Sequence, residues 1–146
     1  MPTVKGCNLP EDLLYDVENQ IWFKEVGDGT VKIGMTAVAT AMAGKLVAFT
    51  PKGVGKEVKA GKSCATVESG KWVGPAKTAA GGTVVAINEA LATNPSLANS
   101  DPYGEGWLVL LKPEDWDGVK GSLIPGAQVA APYEAKMTAD GFAGCA

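Results

Sequence analysis

Few residues of this 146-residue chain can do chemistry, and the absences narrow the field first. There is no histidine and, among 13 basic residues, no arginine. Without histidine, Ser-His-Asp and Cys-His catalysis, histidine metal sites and the commonest general base all fall away. Without arginine, the usual bidentate grip on phosphates and bases is missing. Aromatic residues at 7% leave little to stack on bases, so nucleic acid is not an expected partner. Gly53-Val54-Gly55-Lys56 lacks the remaining glycine and the Ser/Thr of a phosphate loop and runs into a strand. Glu57 and Glu68 do not form the close acid pair of a glycosidase. No acid, base and nucleophile converge anywhere, and a non-catalytic role is expected.

What remains is one lysine. In Ala65-Thr66-Val67-Glu68-Ser69-Gly70-Lys71-Trp72-Val73-Gly74 an apolar run ends in a polar turn, with Lys71 beside its tip. An ordinary lysine titrates near 10.4, so at pH 7 only about one molecule in 2,500 carries the free amine. A Schiff-base lysine needs desolvation or a cationic neighbour inside a pocket, and a turn flanked by Ser69 and Gly70 is wet. Such a lysine is no catalyst, but another enzyme could acylate it. By composition alone it is an ordinary surface residue. Trp72 is the one tryptophan placed to bear on a modified neighbour; Trp22, Trp107 and Trp116 read as core or cover.

Charge is uneven about this turn. Residues 45 to 77 hold seven lysines against Glu57 and Glu68, and the remainder holds six against fourteen acids. The basic part is expected to surround Lys71, where it could steer docking over about one Debye length, ~8 Å at physiological salt. The cysteines, Cys7, Cys64 and Cys145, are odd in number and lack metal-ligand spacing. Cys64 reads as a small buried residue. Cys7 and Cys145 are either incidental thiols or a pair that meets, since termini often lie close together.

The elements that must present the turn are short. At 46% hydrophobic and 20% charged residues the composition is that of a folded domain, and 19 glycines and 9 prolines favour short strands over long helices. Residues 1–19 read as polar and turn-rich, with a helical turn over Glu11 to Leu14. Ile21 to Val26 and Val31 to Met35 form an antiparallel pair across Gly27-Asp28-Gly29. Thr36 caps a helix that Gly44 stops. Leu46 to Phe49, Ser63 to Val67 and Gly82 to Asn88 read as strands, with Trp72 to Ala80 as turns. Trp107 to Lys112 reads as a strand buried on both faces. Pro113 to Trp116 opens a short helix, and Ser122 to Ile124 and Gln128 to Ala139 read as helical pieces over one side of the sheet. The expected fold is mostly β, a flattened barrel-sandwich with short helices. It is one domain over 1–146, with a core over 20–115 and a helical C-terminal cover over 113–141. No basic segment followed by an apolar run opens the chain, and no span approaches the ~20 apolar residues that cross a bilayer, so a cytoplasmic protein without membrane insertion is expected.

Several stretches resemble the H-protein of the glycine cleavage system and, more broadly, the lipoyl-domain family. They are Ile33-Gly34-Met35-Thr36, Gly55-Lys56-Glu57-Val58-Lys59-Ala60-Gly61, Glu68-Ser69-Gly70-Lys71, Gly82-Thr83-Val84-Val85-Ala86-Ile87-Asn88-Glu89-Ala90-Leu91, Asn94-Pro95, and Asn99-Ser100-Asp101-Pro102-Tyr103-Gly104-Glu105-Gly106-Trp107. The resemblance implies lipoic acid in amide linkage on Lys71 at a hairpin tip, with Glu68, Ser69, Gly70 and Trp72 around it. It also implies a lipoate ligase or lipoyl transferase, and dihydrolipoamide dehydrogenase, as partners. Three departures stand out. The family usually has a histidine just before the first-strand tryptophan, and this chain reads Gln20-Ile21-Trp22 there. The hairpin after the helix is lysine-rich, and the attachment turn has Gly70 before the lysine and Trp72-Val73-Gly74-Pro75 after it. These look like the lipoate-binding proteins that serve heterodisulfide-reductase-like complexes in sulfur-compound oxidation. On this reading the arm shuttles sulfur-bound intermediates. The alternatives are a glycine-cleavage carrier of the aminomethyl group and an unmodified binding module.

Overall fold

The computed structural model describes residues 3–145; Met1, Pro2 and Ala146 lie outside them. The described residues begin in strands where turns and a helical turn over Glu11 to Leu14 were expected; no helix forms there, and Leu14 opens a strand. β1 (Thr3–Val4) and β2 (Cys7–Asn8) pair as a small antiparallel hairpin, and β3 (Leu14–Asp16) follows a turn. At two or three residues each, they are too short for period-2 alternation to show. The two terminal cysteines do meet: Cys7 and Cys145 form a disulfide with Cα atoms 4.9 Å apart, and Cys64 is free and buried.

β4 (Ile21–Glu25) and β5 (Val31–Met35) form the expected hairpin. α1 (Ala37–Ala43) is capped by Thr36, whose Oγ1 accepts from the Ala39 N–H at 3.2 Å, and ends at Gly44. Then come β6 (Leu46–Pro51), β7 (Glu57–Val58), β8 (Ser63–Ser69), β9 (Val73–Lys77) and β10 (Gly82–Ile87). Two short helices follow, α2 (Glu89–Thr93) and α3 (Leu97–Ser100), then β11 (Val109–Pro113) and α4 (Trp116–Lys120). The chain closes with β12 (Ile124–Pro125), a 3₁₀ turn at Gly126–Gln128 and α5 (Ala130–Ala139).

The strands make a seven-stranded antiparallel sheet in the order β12-β3-β4-β5-β11-β10-β7 and a three-stranded sheet in the order β6-β8-β9. Ile21, Phe23 and Ile33 from the first sheet meet Leu46, Phe49 and Val67 from the second in one apolar core, so the fold is a sandwich and no closed barrel forms. Between Ile21 and Phe23, Trp22 points to the opposite face, as strand alternation requires. There it is fully buried in a second core with Tyr15, Val38, Val129, Tyr133 and Met137. Tyr133 and Met137 are one helical turn apart on α5, so the C-terminal helix covers the face that β4 could not leave wet.

Three expectations are corrected. Trp72 to Ala80 is not all turn, because β9 occupies its middle despite Gly74-Pro75. β9 pairs only with β8, and an edge strand tolerates proline because it need not donate outward. Ser122 to Ile124 is not helical; Ile124 and Pro125 pair with β3 instead, which breaks the expected C-terminal helical cover over 113–141 into α4, β12 and α5. In β11 only Val109 and Leu111 are fully buried, while Leu110 is half-buried and Lys112 exposed. No helix of the described residues is long and apolar enough to cross a membrane, and they contain no group of three or more potential metal ligands.

Candidate functional site

Lys71 sits in the three-residue link from β8 to β9, at the tip of the smaller sheet. Glu68 pairs with Val73 as the last strand rung, and the Ser69 N–H donates to the Trp72 carbonyl at 2.7 Å to close the turn. Ser69 is buried, and its Oγ accepts from the Lys71 N–H at 3.3 Å and donates to the Trp72 carbonyl at 3.4 Å. A small hydroxyl with two backbone partners fixes the tip from inside, which leaves the side chain of Lys71 outward and exposed. Glu68 and Gly70 are exposed beside it. Nothing lies within 4 Å of where a Gly70 Cβ would project, so the glycine leaves an open approach to the lysine.

On one flank β6 begins opposite Ser69, which brings Gly44, Lys45 and Val47 against the tip. Gly44 has φ +87, and a Cβ there would lie 3.1 Å from Lys71 Cε. Gly44 is itself held by Asn99, whose Nδ2 donates to the Gly44 and Thr40 carbonyls at 2.8 and 3.2 Å. Its Oδ1 accepts from the Leu46 N–H at 2.8 Å. On the other flank Trp72 is 40% exposed and lays its ring over Gly74, where any Cβ would collide with it. With Val47 and Val73 exposed, the lysine has an apolar rim.

Beyond Trp72 opens a cleft of about 410 Å³, lined among others by Asn19, Gln20, Met35, Met42, Lys71 and Trp72. No carboxylate lines it. Gln20 has φ +59, uncommon for a residue with a side chain. Its carbonyl accepts from the Thr36 N–H at 3.2 Å, its Oε1 accepts from the Tyr133 hydroxyl at 3.1 Å, and its Nε2 lies 3.6 Å from Met42 Sδ. Thr36 Oγ1 and Tyr133 Oη are 2.5 Å apart, so α5 locks the cleft wall from behind.

The structure thus brings Glu68, Ser69, Gly70, Lys71 and Trp72 together at one tip. It does not bring the lysines with them. Of the six other lysines between residues 45 and 77, Lys45 alone lines the tip. Lys77 pairs with Ser63 at the far end of β8, and the Lys52 N–H bonds the Cys64 carbonyl there. The expectation that the basic field surrounds Lys71 is therefore corrected: most of it lies at the opposite end of the small sheet. None of Gly44, Asn99, Met35 and Met42 is marked as a site residue by the sequence: Gly44 reads there as a helix stop. Gln20 was noted only as a departure, and its cleft position depends on contacts from Thr36 and from α5, more than 100 residues on.

An exposed lysine thus stands on a braced hairpin tip of a two-sheet sandwich, beside a largely apolar cleft. Residues 13–136 match the family described as Glycine cleavage H-protein. The chain is 52% identical to Glycine cleavage system H protein 5 of Aquifex aeolicus over 89% of its own length and 90% of that protein. It is 41% identical to Probable glycine cleavage system H protein 2 of Sulfurisphaera tokodaii over 87% and 86%. The crystal structure of a glycine cleavage system H protein from Mycobacterium marinum superposes with TM-score 0.74 at 33% identity, covering 91% of this chain and 99% of that one. The chain belongs to the glycine cleavage H-protein family. Its members are non-catalytic carriers of lipoic acid, held covalently on a lysine.

Proposed function

We propose that Lys71 is the lipoylated residue and that the chain is an H-protein-type carrier presenting this arm to successive enzymes. The supporting observation is the tip itself: Lys71 is exposed and fixed by Ser69, flanked by Trp72 and Gly44, and adjacent to a cleft with the volume and apolar lining that a short acyl chain ending in a ring can enter. The bound group supplies a reactive disulfide that accepts and releases cargo on sulfur. Every other part belongs to the chain. Ser69 sets the angle of the lysine, and Gly70 leaves room for the attaching enzyme. Glu68 marks the turn with a charge, and Trp72 and Val47 offer apolar contact. Carriage on a tethered arm keeps the group at high effective concentration around each active site.

A lipoate ligase or lipoyl transferase attaches the group on this reading, dihydrolipoamide dehydrogenase reoxidises it, and the relatives' names point to the glycine cleavage system as the client. A second reading, a cytoplasmic carrier for a heterodisulfide-reductase-like complex of sulfur oxidation, rests on the cleft. Its lining includes Gln20, Met35 and Met42 and no carboxylate to match a protonated amine, which favours a neutral or sulfur-rich cargo.

Intact-mass analysis after co-expression with a lipoate ligase tests the carrier reading. Wild type gains one lipoyl group and Lys71→Arg gains none; a gain that survives the substitution rejects the assignment. Exchange of glycine carbon by glycine decarboxylase then divides the two client systems. Robust exchange with the lipoylated protein removes the sulfur reading.

A further inference from the structure

The seven residues of β8 separate the Lys71 tip from the other end of the small sheet by about 20 Å at ~3.3 Å per residue. At that far end, and along the adjoining edge of the seven-stranded sheet where β10 lies, backbone contacts place lysines from separate segments. Lys52 bonds Cys64, and Lys77 pairs with Ser63. The Lys62 carbonyl accepts from the Thr78 N–H at 3.0 Å, and the Lys56 carbonyl accepts from the Val84 N–H at 2.9 Å. Lys59 stands three residues before Lys62 and accepts its N–H at 3.0 Å. All five side chains are exposed, and neither ion pair found among the described residues involves them. Glu57 is the one acid of the same segment, and Lys112 and Glu114 on the adjoining strand end balance each other. In the middle lies an apolar spot. Val54 is 61% exposed on the turn between Lys52 and Lys56, and the Gly55 N–H bonds Val84 at 2.8 Å, next to exposed Val85.

We infer that this far end is a second docking surface, for an acidic protein patch with a small apolar centre on an enzyme that works on the Lys71 arm. The inference rests on the carrier reading above. A protein of net charge −3 that concentrates unpaired lysines on one end attracts an acidic partner there and presents repulsive acids elsewhere. Two valines are too little to insert into a bilayer, and lysines without arginine or aromatic neighbours give bases nothing specific to meet. Holding the carrier by the end remote from the tip leaves the arm free while the carrier stays bound. A contact at the tip cannot do this, because it breaks whenever the arm turns to another site.

The test uses the full lipoylated chain and the triple variant K52E/K56E/K59E, with V54S as a second variant that removes the apolar side chain and leaves the charges alone. KM and kcat are measured with purified dihydrolipoamide dehydrogenase, glycine decarboxylase and a heterodisulfide-reductase-like complex, from about 0.05 to 0.5 M salt. For at least one enzyme the triple variant raises KM tenfold or more with kcat within twofold. V54S raises the same KM about threefold, and the wild-type KM climbs with salt while that of the triple variant stays flat. An unchanged KM with all three enzymes, in protein whose mass shows full lipoylation, overturns the second dock and leaves the carrier standing. Absence of lipoylation in the wild type overturns both. Binding of wild type, lost in the triple variant, to vesicles containing 30% phosphatidylserine or to duplex DNA at 0.15 M salt reassigns the patch and overturns the proposal. So does low-salt self-association that the triple variant abolishes.

Discussion

Gly44 and Lys71, 27 residues apart in sequence, are in contact: a single added carbon on Gly44 would press to 3.1 Å from the lysine's Cε. With φ +87 and ψ −176, Gly44 also occupies backbone space that only glycine enters easily. The stop signal of α1 is thus part of the wall behind Lys71. Gly44→Ala is expected to cost about 1–3 kcal/mol for the backbone conformation alone. It also pushes the Lys71 stem outward. Thermal melts read the first effect and the initial rate of lipoylation the second; a variant as stable as wild type contradicts this account.

Asn99 is the brace of that wall, with one bond accepted and two donated. Asn99→Ala leaves three backbone groups without their partner, at about 1–3 kcal/mol. Asn99→Asp is expected to be worse, because a carboxylate then faces the Thr40 and Gly44 carbonyls with no hydrogen to offer. Chemical denaturation ranks the two. If aspartate is the milder change, the assignment of Oδ1 and Nδ2 is reversed.

The Cys7–Cys145 bridge closes a loop of 138 residues, and cross-links over long loops remove the most freedom from the unfolded chain. Cys7→Ser, or reduction of the wild type, is expected to destabilise by about 2–5 kcal/mol. The C-terminal segment is the part released, since the Cys145 N–H also bonds the Lys5 carbonyl at 2.9 Å. Melting oxidised and reduced protein side by side measures the difference. Identical midpoints would show that the bridge adds nothing.

Burial pushes the Tyr103 hydroxyl and the Cys64 thiol up to about 12 and raises Tyr15 and Tyr133 as well. Each group keeps its proton to higher pH in the folded chain than in the unfolded one. Their contribution is fully present below the ordinary values of 9.0 for the thiol and 10.0 for the phenols, and is lost as pH rises toward about 12. Stability should hold level up to about pH 9 and then fall. Tyrosinate absorbance should appear together with loss of the circular dichroism signal. Tyrosinate that develops near pH 10 in a fully folded protein would show these hydroxyls to be in water.

The sequence by itself determined the local things. Glycines between the strands, the Thr36 cap, the Gly44 stop and the Glu68-Ser69-Gly70-Lys71 turn depend on neighbours a few residues away, and each reads directly from the chain. So did the exclusion of histidine chemistry. Tertiary structure decided whatever depended on which strands lie side by side. β9 was hidden because Gly74-Pro75 reads as a turn unless the strand is known to sit at a sheet edge. Gln20, Met35 and Met42 became a cleft wall only once α1 and α5 packed behind them. Residues 45 to 77 counted as seven lysines around one turn, but the antiparallel run of β8 carries most of them about 20 Å away. Charge adds up along a sequence, whereas a field depends on distance, and only the pairing of β6, β8 and β9 sets the distances. It separated Lys71, proposed to bear the arm, from the lysines proposed to hold the partner.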